Sequence, residues 1–102
     1  MEAPLTRSLA FVGFMGAGKS TLAREAARLL GAQLRDTDAL LEAALGERIK
    51  AFWEREGETA FREREEQIVL EALGGKPAVI ALGGGSLGSE RVRAALDRKS
   101  VV

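Results

Sequence analysis

Residues 13 to 21 of this 102-residue chain read GFMGAGKST, a glycine-rich run that follows the apolar stretch Leu9 to Val12 and precedes a helical pattern. No other segment limits the possible folds so tightly. Gly13, Gly18, Lys19 and Ser20 satisfy G-x-x-x-x-G-K-[ST], and the strand before it and helix after it supply the context that the pattern requires. Glycines let the backbone curl until successive N–H groups point inward at phosphate oxygens, and the N-terminus of the following helix adds partial positive charge. The Lys19 ammonium can reach the outer phosphates, and the Ser20 hydroxyl is placed to ligate Mg²⁺. The expected cargo of the loop is ATP or GTP with magnesium.

Beyond the loop, Leu22, Ala26, Leu29 and Leu30 repeat at helical spacing, and Gly31 stands where a left-handed cap belongs. A short strand around Gln33 to Arg35 ends in Asp36-Thr37-Asp38, after which Leu40, Leu41, Ala44 and Leu45 predict a helix closed by Gly46. Ile49, Phe52 and Trp53 share one face of a short helix stopped by Gly57, and a longer helix runs on to Leu73. After Gly74, Gly75 and Pro77, Ala78 to Leu82 is a third apolar strand emptying into Gly83-Gly84-Gly85. A helix from about Ser89 to Leu96 precedes Ser100-Val101-Val102, which has the character of a strand at its start. Strands alternating with helices predict an α/β fold, a parallel sheet with helices on both faces. Ligands of such sheets bind beyond the carboxyl ends of the strands, where three turns of this chain fall: the run after Val12, Asp36 to Asp38, and Gly83 to Gly85.

Composition narrows the chemistry. Fifteen basic residues balance fifteen acidic ones, so no net field draws the chain to nucleic acid or to an anionic membrane. Cysteine and histidine are both absent, which removes thiolate chemistry, His-dependent triads and most transition-metal sites. A general base must be a carboxylate or a lysine. The apolar run before the loop is too short to span a membrane, and a cytoplasmic protein is the expectation.

Asp36 and Asp38 flank one residue at a strand end, where positions i and i+2 share a side. One carboxylate can serve a magnesium shell while the other orients an acceptor hydroxyl or takes its proton, although either aspartate alone would equally be explained as a helix cap. Glu65 falls inside the apolar stripe Phe61, Ile68, Val69, Ala72, Leu73, at about 40° from Phe61 on the helical wheel. A buried carboxylate needs a partner or a wet pocket, and Arg62 lies within its reach. The two form either an ordinary surface pair or a cleft lining in which the planar fork of Arg62 takes an anionic substrate group. Three glycines after a buried strand let backbone donors approach a ligand, as a plain turn would also allow.

Taken together and in this order, GFMGAGKST, DTD, FREREE and ALGGGS closely resemble the shikimate kinase family, over almost the whole chain. The resemblance implies a P-loop three-layer sandwich that transfers the γ-phosphoryl of ATP to the 3-hydroxyl of shikimate, with Mg²⁺. It implies that Gly16, Ala17, Gly18, Lys19, Ser20 and Thr21 wrap the phosphates, that Ser20 ligates the metal and that Asp36 holds its water shell. Lys19 and Asp38 would be catalytic, Asp38 as the base that orients the substrate hydroxyl. Arg62 would grip the substrate carboxylate, Glu65 would steady Arg62, and Gly84 and Gly85 would offer backbone donors. Ile49, Phe52, Trp53 and Phe61 would belong to a substrate-binding helical subdomain at about residues 37–75 of a single domain, 1–102; for Phe52 a plain core role is preferred. A monomer is expected, with ATP and shikimate as its partners and neither nucleic acid nor membrane.

The family pattern continues past this point through further strands, a lid carrying an arginine, a second arginine for the substrate carboxylate and an adenine-contacting loop. An incomplete sandwich is therefore expected, either a fragment or an interrupted reading frame, with reduced catalysis because such a lid completes the charge clamp on the transferring group. The alternatives are another small-metabolite P-loop kinase and a catalytically silent nucleotide-binding segment.

Overall fold

The computed structural model of the protein describes residues 7–13 and 19–101. Their order is β1 (Ser8–Gly13), α1 (Lys19–Leu30), β2 (Leu34–Asp36), α2 (Thr37–Leu45), α3 (Ile49–Gly74), β3 (Val79–Gly83), a 3-10 turn (Gly84–Gly88), α4 (Glu90–Lys99) and β4 (Ser100–Val101). The strands form one sheet in the order β2-β3-β1-β4. Every pairing is parallel, with Leu9 beside Val79, Leu34 beside Val79, and Ser8 beside Ser100.

The period of two along each strand sends alternate residues to opposite layers. Ile80 and Leu82 of β3, with Ala10 of β1, pack against Val69 and Leu73 of α3 and Val92, Ala95 and Leu96 of α4. Val79 and Ala81 face Ala23 and Ala27 of α1, with Leu9, Phe11 and Leu34 alongside. The sheet thus lies between two helical layers, as the alternating pattern predicts. The continuous apolar run of β3 reflects a strand covered on both faces.

The helix at α1 is where its spacing places it, but it packs with the other face. Leu22 and Leu29 are each 60% exposed, whereas Ala23 and Ala27 are buried. Small side chains let the helix sit close over Val79 and Ala81, and contact with the sheet decides the face that apolar spacing alone leaves ambiguous. The second strand lies one residue later than expected, and α4 runs on to Lys99. Gly31 and Gly46 both take positive φ, and the Gly46 N–H donates to the Glu42 carbonyl at 2.9 Å, closing α2 as its cap.

A third apolar cluster contains no strand residue. Leu41 of α2 meets Phe52 and Phe61 of α3, with Leu45, Ile49, Trp53 and Ile68 around them. Phe52 is buried here as core. The expected stop at Gly57 is a sharp break, φ 89° and ψ 173°, which divides α3 into two arms. At the entry to α3, the Arg55 guanidinium donates twice to the Glu47 carboxylate, at 2.6 Å each. That hydrogen-bonded pairing, helped by the charge of Arg55, holds the Glu47 carboxyl below the usual carboxylate range and the Arg55 guanidinium above its own. A carboxyl depressed in the folded state contributes stability above its unfolded value, and that contribution is lost as pH falls through the folded value.

The backbone at Gly57 yields a clean test. No atom lies within 4 Å of a Cβ built there or at Gly74, and Gly74 has no positive φ. Gly57→Ala is expected to cost about 1–3 kcal/mol in urea unfolding, through backbone strain alone. Gly74→Ala should be neutral, or stabilise by about 0.4–1 kcal/mol. Equal stability of the two variants would show that the break imposes no strain.

Candidate active site at the carboxyl ends of the strands

Parallel pairing brings three strand ends to one edge. Gly13, the last residue of β1, stands beside Gly83, the last of β3, and Asp36 ends β2 beside Ala81. The expected phosphate-loop residues Gly16, Ala17 and Gly18 lie outside the described residues. Lys19 and Ser20 open α1, and Thr21 behind them is exposed; the side chains of Lys19 and Ser20 are likewise outside what is described.

At the neighbouring strand end, Asp36 caps α2. Its Oδ1 accepts from the backbone N–H of Asp38 at 3.0 Å and of Ala39 at 3.3 Å. The capping alternative open from the sequence is therefore realised for Asp36, and it fixes the start of the helix that carries Asp38. Thr37, between them, is buried and donates through Oγ1 to the Ala81 carbonyl at 3.2 Å, tying the first turn of α2 to the central strand.

Asp38 and Glu65 converge on the glycine turn. A Cβ built on Gly83 would lie 3.6 Å from Asp38 Oδ1 and 3.8 Å from Glu65 Oε2. The two carboxylates, one from α2 and one from α3, thus flank the end of β3. Glu65 is buried, and its other oxygen, Oε1, accepts from Arg62 Nη1 at 2.8 Å. The pair forms as the spacing predicts, and the partner that a buried carboxylate needs is present.

Arg62 is held on three sides. Besides Glu65, its Cζ stands 5.2 Å from the Trp53 ring centroid and 5.3 Å from that of Phe61, both within cation–π range. The rings themselves are 4.9 Å apart and tilted by 50°. On the third side lies the turn: a Cβ on Gly85 would come within 2.8 Å of Arg62 Cζ, so only glycine leaves room for the guanidinium there. With 40% of its side chain exposed, Arg62 keeps an open side for an anion.

Arg62, Glu65 and Gly85 line a cleft of about 450 Å³ between α3 and the 3-10 turn, with Ser86, Gly88 and Ser89 on its far wall. Gly84 occupies the first position of that turn. A larger groove of about 660 Å³ runs along the edge strand β2, past Arg35, Leu40 and Glu71, and holds Asp36 but not Asp38, Arg62 or Glu65. Asp38 lines neither space; Arg62 and Glu65 mark the smaller cleft, whose lining also includes Glu58, Glu63 and Glu66. Gly83 belongs to the glycine run that the sequence singles out, whereas Ser86 escapes the sequence reading, its only trace being its place after three glycines.

The packing of Gly85 on Arg62 gives an expected outcome. Gly85→Ala should push the guanidinium off its bond to Glu65, visible as a changed Arg62 Nε resonance. It should also lower stability, by up to about 3–5 kcal/mol, because the buried Glu65 carboxylate would lose its partner. An unmoved resonance would show that the contact is not tight.

Comparison with known proteins identifies the family. The shikimate kinase family profile matches residues 15–102. The chain is 41% identical over 96 residues to a shikimate kinase of Actinobacillus pleuropneumoniae, covering 94% of this chain and 56% of that protein. It is 45% identical over 91 residues to that of Mycobacterium marinum, covering 89% and 50%. Among solved structures it resembles the shikimate kinase of Acinetobacter baumannii in complex with shikimate, at 38% identity and a TM-score of 0.90, over 94% of this chain and 54% of that one. The shikimate kinase of Aquifex aeolicus gives 27% and 0.84, over 91% and 55%. The chain spans about half the length of the curated relatives it matches. A phosphate-loop pattern at the end of β1, two carboxylates and a braced arginine at the end of β3, and these likenesses agree: the chain belongs to the shikimate kinase family.

Proposed function

We propose that the protein takes part in phosphoryl transfer from ATP to the 3-hydroxyl of shikimate, with the substrate bound along the glycine turn that ends β3. One observation carries this reading. Asp38 and the Arg62–Glu65 pair stand at successive points of a single turn, Asp38 against Gly83 and Arg62 against Gly85. A ring with a hydroxyl at one end and a carboxylate at the other fits that order of groups. The complex of the Acinetobacter baumannii relative with shikimate supports the same ligand.

In this reading the fork of Arg62 takes the ring carboxylate, and Glu65 and the two rings fix its orientation before the ligand arrives. Gly84 and Gly85 offer backbone donors to the ring. Asp38 receives the proton of the attacking hydroxyl as its oxygen bonds to the γ-phosphorus and the bond to the ADP oxygen breaks. Catalysis of such a transfer is mainly positioning and charge stabilisation, since the transition state is loose. Lys19 and the backbone of Gly16 to Thr21 would neutralise the phosphates.

Mg²⁺ would be held by Ser20 and, through water, by Asp36. Among the described residues no group of three acidic, histidine or cysteine side chains could cage a cation. The donor set of one hydroxyl and one carboxylate suits an ion that keeps several waters and binds mainly to phosphates. When bound, the ion neutralises charge that develops between the β- and γ-phosphates.

The reading includes a monomeric cytoplasmic enzyme in which about residues 37–75 form the substrate-binding subdomain. The apolar cluster of Leu41, Phe52 and Phe61, separate from the sheet, supports the subdomain. No helix among the described residues is long and apolar enough to cross a membrane.

Shikimate-dependent release of ADP tests the function. Asp38→Asn is expected to lower kcat by about 10²- to 10⁴-fold, the usual worth of a positioned base, with nucleotide affinity unchanged. Normal turnover by the variant would overturn the role of Asp38, and no dependence on shikimate in the parent would overturn the reading.

A further inference from the structure

The 3-10 turn after β3 has little to hold its shape from within. Three of its five residues are glycine, the residue that loses most conformational freedom on ordering, and no side chain caps its start at Gly83. Ser86 is buried, and its hydroxyl makes no hydrogen bond among the described residues. What fastens the turn comes from α4. The Ser89 N–H donates to the Ser86 carbonyl at 3.2 Å, and the Arg93 guanidinium donates to the Leu87 carbonyl. Ser89 Oγ caps α4 by accepting from the Val92 N–H at 3.2 Å. The 3-10 turn and the start of α4 thus form one unit.

Glu66 ties that unit to α3. Its Oε2 accepts from the Ser89 hydroxyl at 2.6 Å, and its Oε1 accepts from Arg91 Nη1 at 3.3 Å. Glu66 directly follows Glu65, whose Oε2 lies 3.8 Å from a Cβ built on Gly83. Two consecutive glutamates of one helix therefore meet the two ends of the glycine turn, Glu65 at Gly83 and Glu66 at Ser89. Between those points lie Gly84 and Gly85, the latter packed on Arg62. The same contacts account for an acidic side chain on the wall of a cleft that holds Arg62, because the Glu66 carboxylate is engaged by Ser89 and Arg91. Glu58 and Glu63 on that wall are exposed to water.

We infer that Glu66 is a positioning residue for the substrate site: through Ser89 it sets how far the glycine turn stands from α3, and so where the Gly84 and Gly85 amides lie relative to Arg62. The inference rests on the functional reading above and extends it to a residue outside the expected set. Glu66 touches no substrate in this role. It acts by removing freedom from a turn that its own residues leave loose, so that the backbone donors are in place before a ligand arrives.

Amide relaxation of the free protein and kinetics with shikimate test this together. In Glu66→Ala, the ¹⁵N order parameters of Gly84 and Gly85 should fall below the ~0.85 of rigid backbone, while those of Val69 and Leu73 on α3 hold. KM for shikimate should rise about fivefold to tenfold, as befits loss of a hydrogen bond to a charged group, with KM for ATP unchanged. Glu66→Gln keeps an acceptor for the Ser89 hydroxyl and should restore both readouts. Arg91→Ala removes only an exposed ion pair and should leave both as in the parent. Ser89→Asp caps a helix as well as serine does but has no proton to donate, so it should reproduce the Glu66→Ala loss. Rigid Gly84 and Gly85 amides in Glu66→Ala, or a KM for shikimate within twofold of the parent, would overturn the inference and leave the functional reading standing. So would equal rises in KM for both substrates, or no rescue by Glu66→Gln, since either marks a general loss of structure. A parent whose turnover ignores shikimate would overturn the functional reading and the inference with it.

Discussion

Strand β3 is the constraint from which the rest follows. Val79, Ile80 and Leu82 have no exposed surface, with a strand on each edge and a helical layer on each face. Such a strand must be apolar throughout, and at roughly 1.5–3 kcal/mol for each fully buried large side chain it anchors both layers. Its polar business is deferred to its end. There the chain leaves the sheet through Gly83 into the 3-10 turn, and the carboxylates of Asp38 and Glu65 close around that exit. Fold and site are joined at one residue.

The same logic explains why the candidate site draws on three separate elements. A parallel sheet aligns the ends of β1, β2 and β3 at one edge, so Gly13, Asp36 and Gly83 stand near one another without further design. Asp36 caps the helix that follows it, and the cap orients the first turn, where Asp38 sits. Capping and a role in metal binding are compatible, because a carboxylate has more acceptor positions than the two amides at Oδ1 use. The sequence alternatives for this aspartate are thus not exclusive.

Much of this was legible in the amino-acid sequence. Element types followed from periodicity, and the strand ends from glycines and the acidic turn, since these are local signals. The Arg62–Glu65 pair was legible because a carboxylate at 65 interrupted an apolar stripe, and three residues is a reach that helical geometry fixes. The packing face of α1 was not. Leu22, Leu29 and Leu30 out-rank Ala23 and Ala27 in hydrophobicity, yet close approach to β3 favours small side chains, a tertiary preference with no local signature. The Oγ of Ser86 was silent for the same reason, because only the assembled turn reveals that nothing within the described protein meets it.

The bracing of Arg62 shows how a backbone irregularity becomes chemistry. Trp53 and Arg62 are nine residues apart, which in an unbroken helix would place them about 13 Å apart along the axis and on opposite faces. Yet the Arg62 Cζ stands 5.2 Å from the Trp53 ring. The break at Gly57, in a conformation open essentially to glycine alone, folds the first arm of α3 back so that its indole meets the second arm. Phe61, eight residues from Trp53, joins the same stack. A guanidinium confined between two rings, a buried carboxylate and the Gly85 backbone has lost most of its rotamer freedom before any anion arrives. Confinement of that kind lowers the entropy that binding must overcome. The glycine that weakens the helix is therefore the one that fixes its arginine.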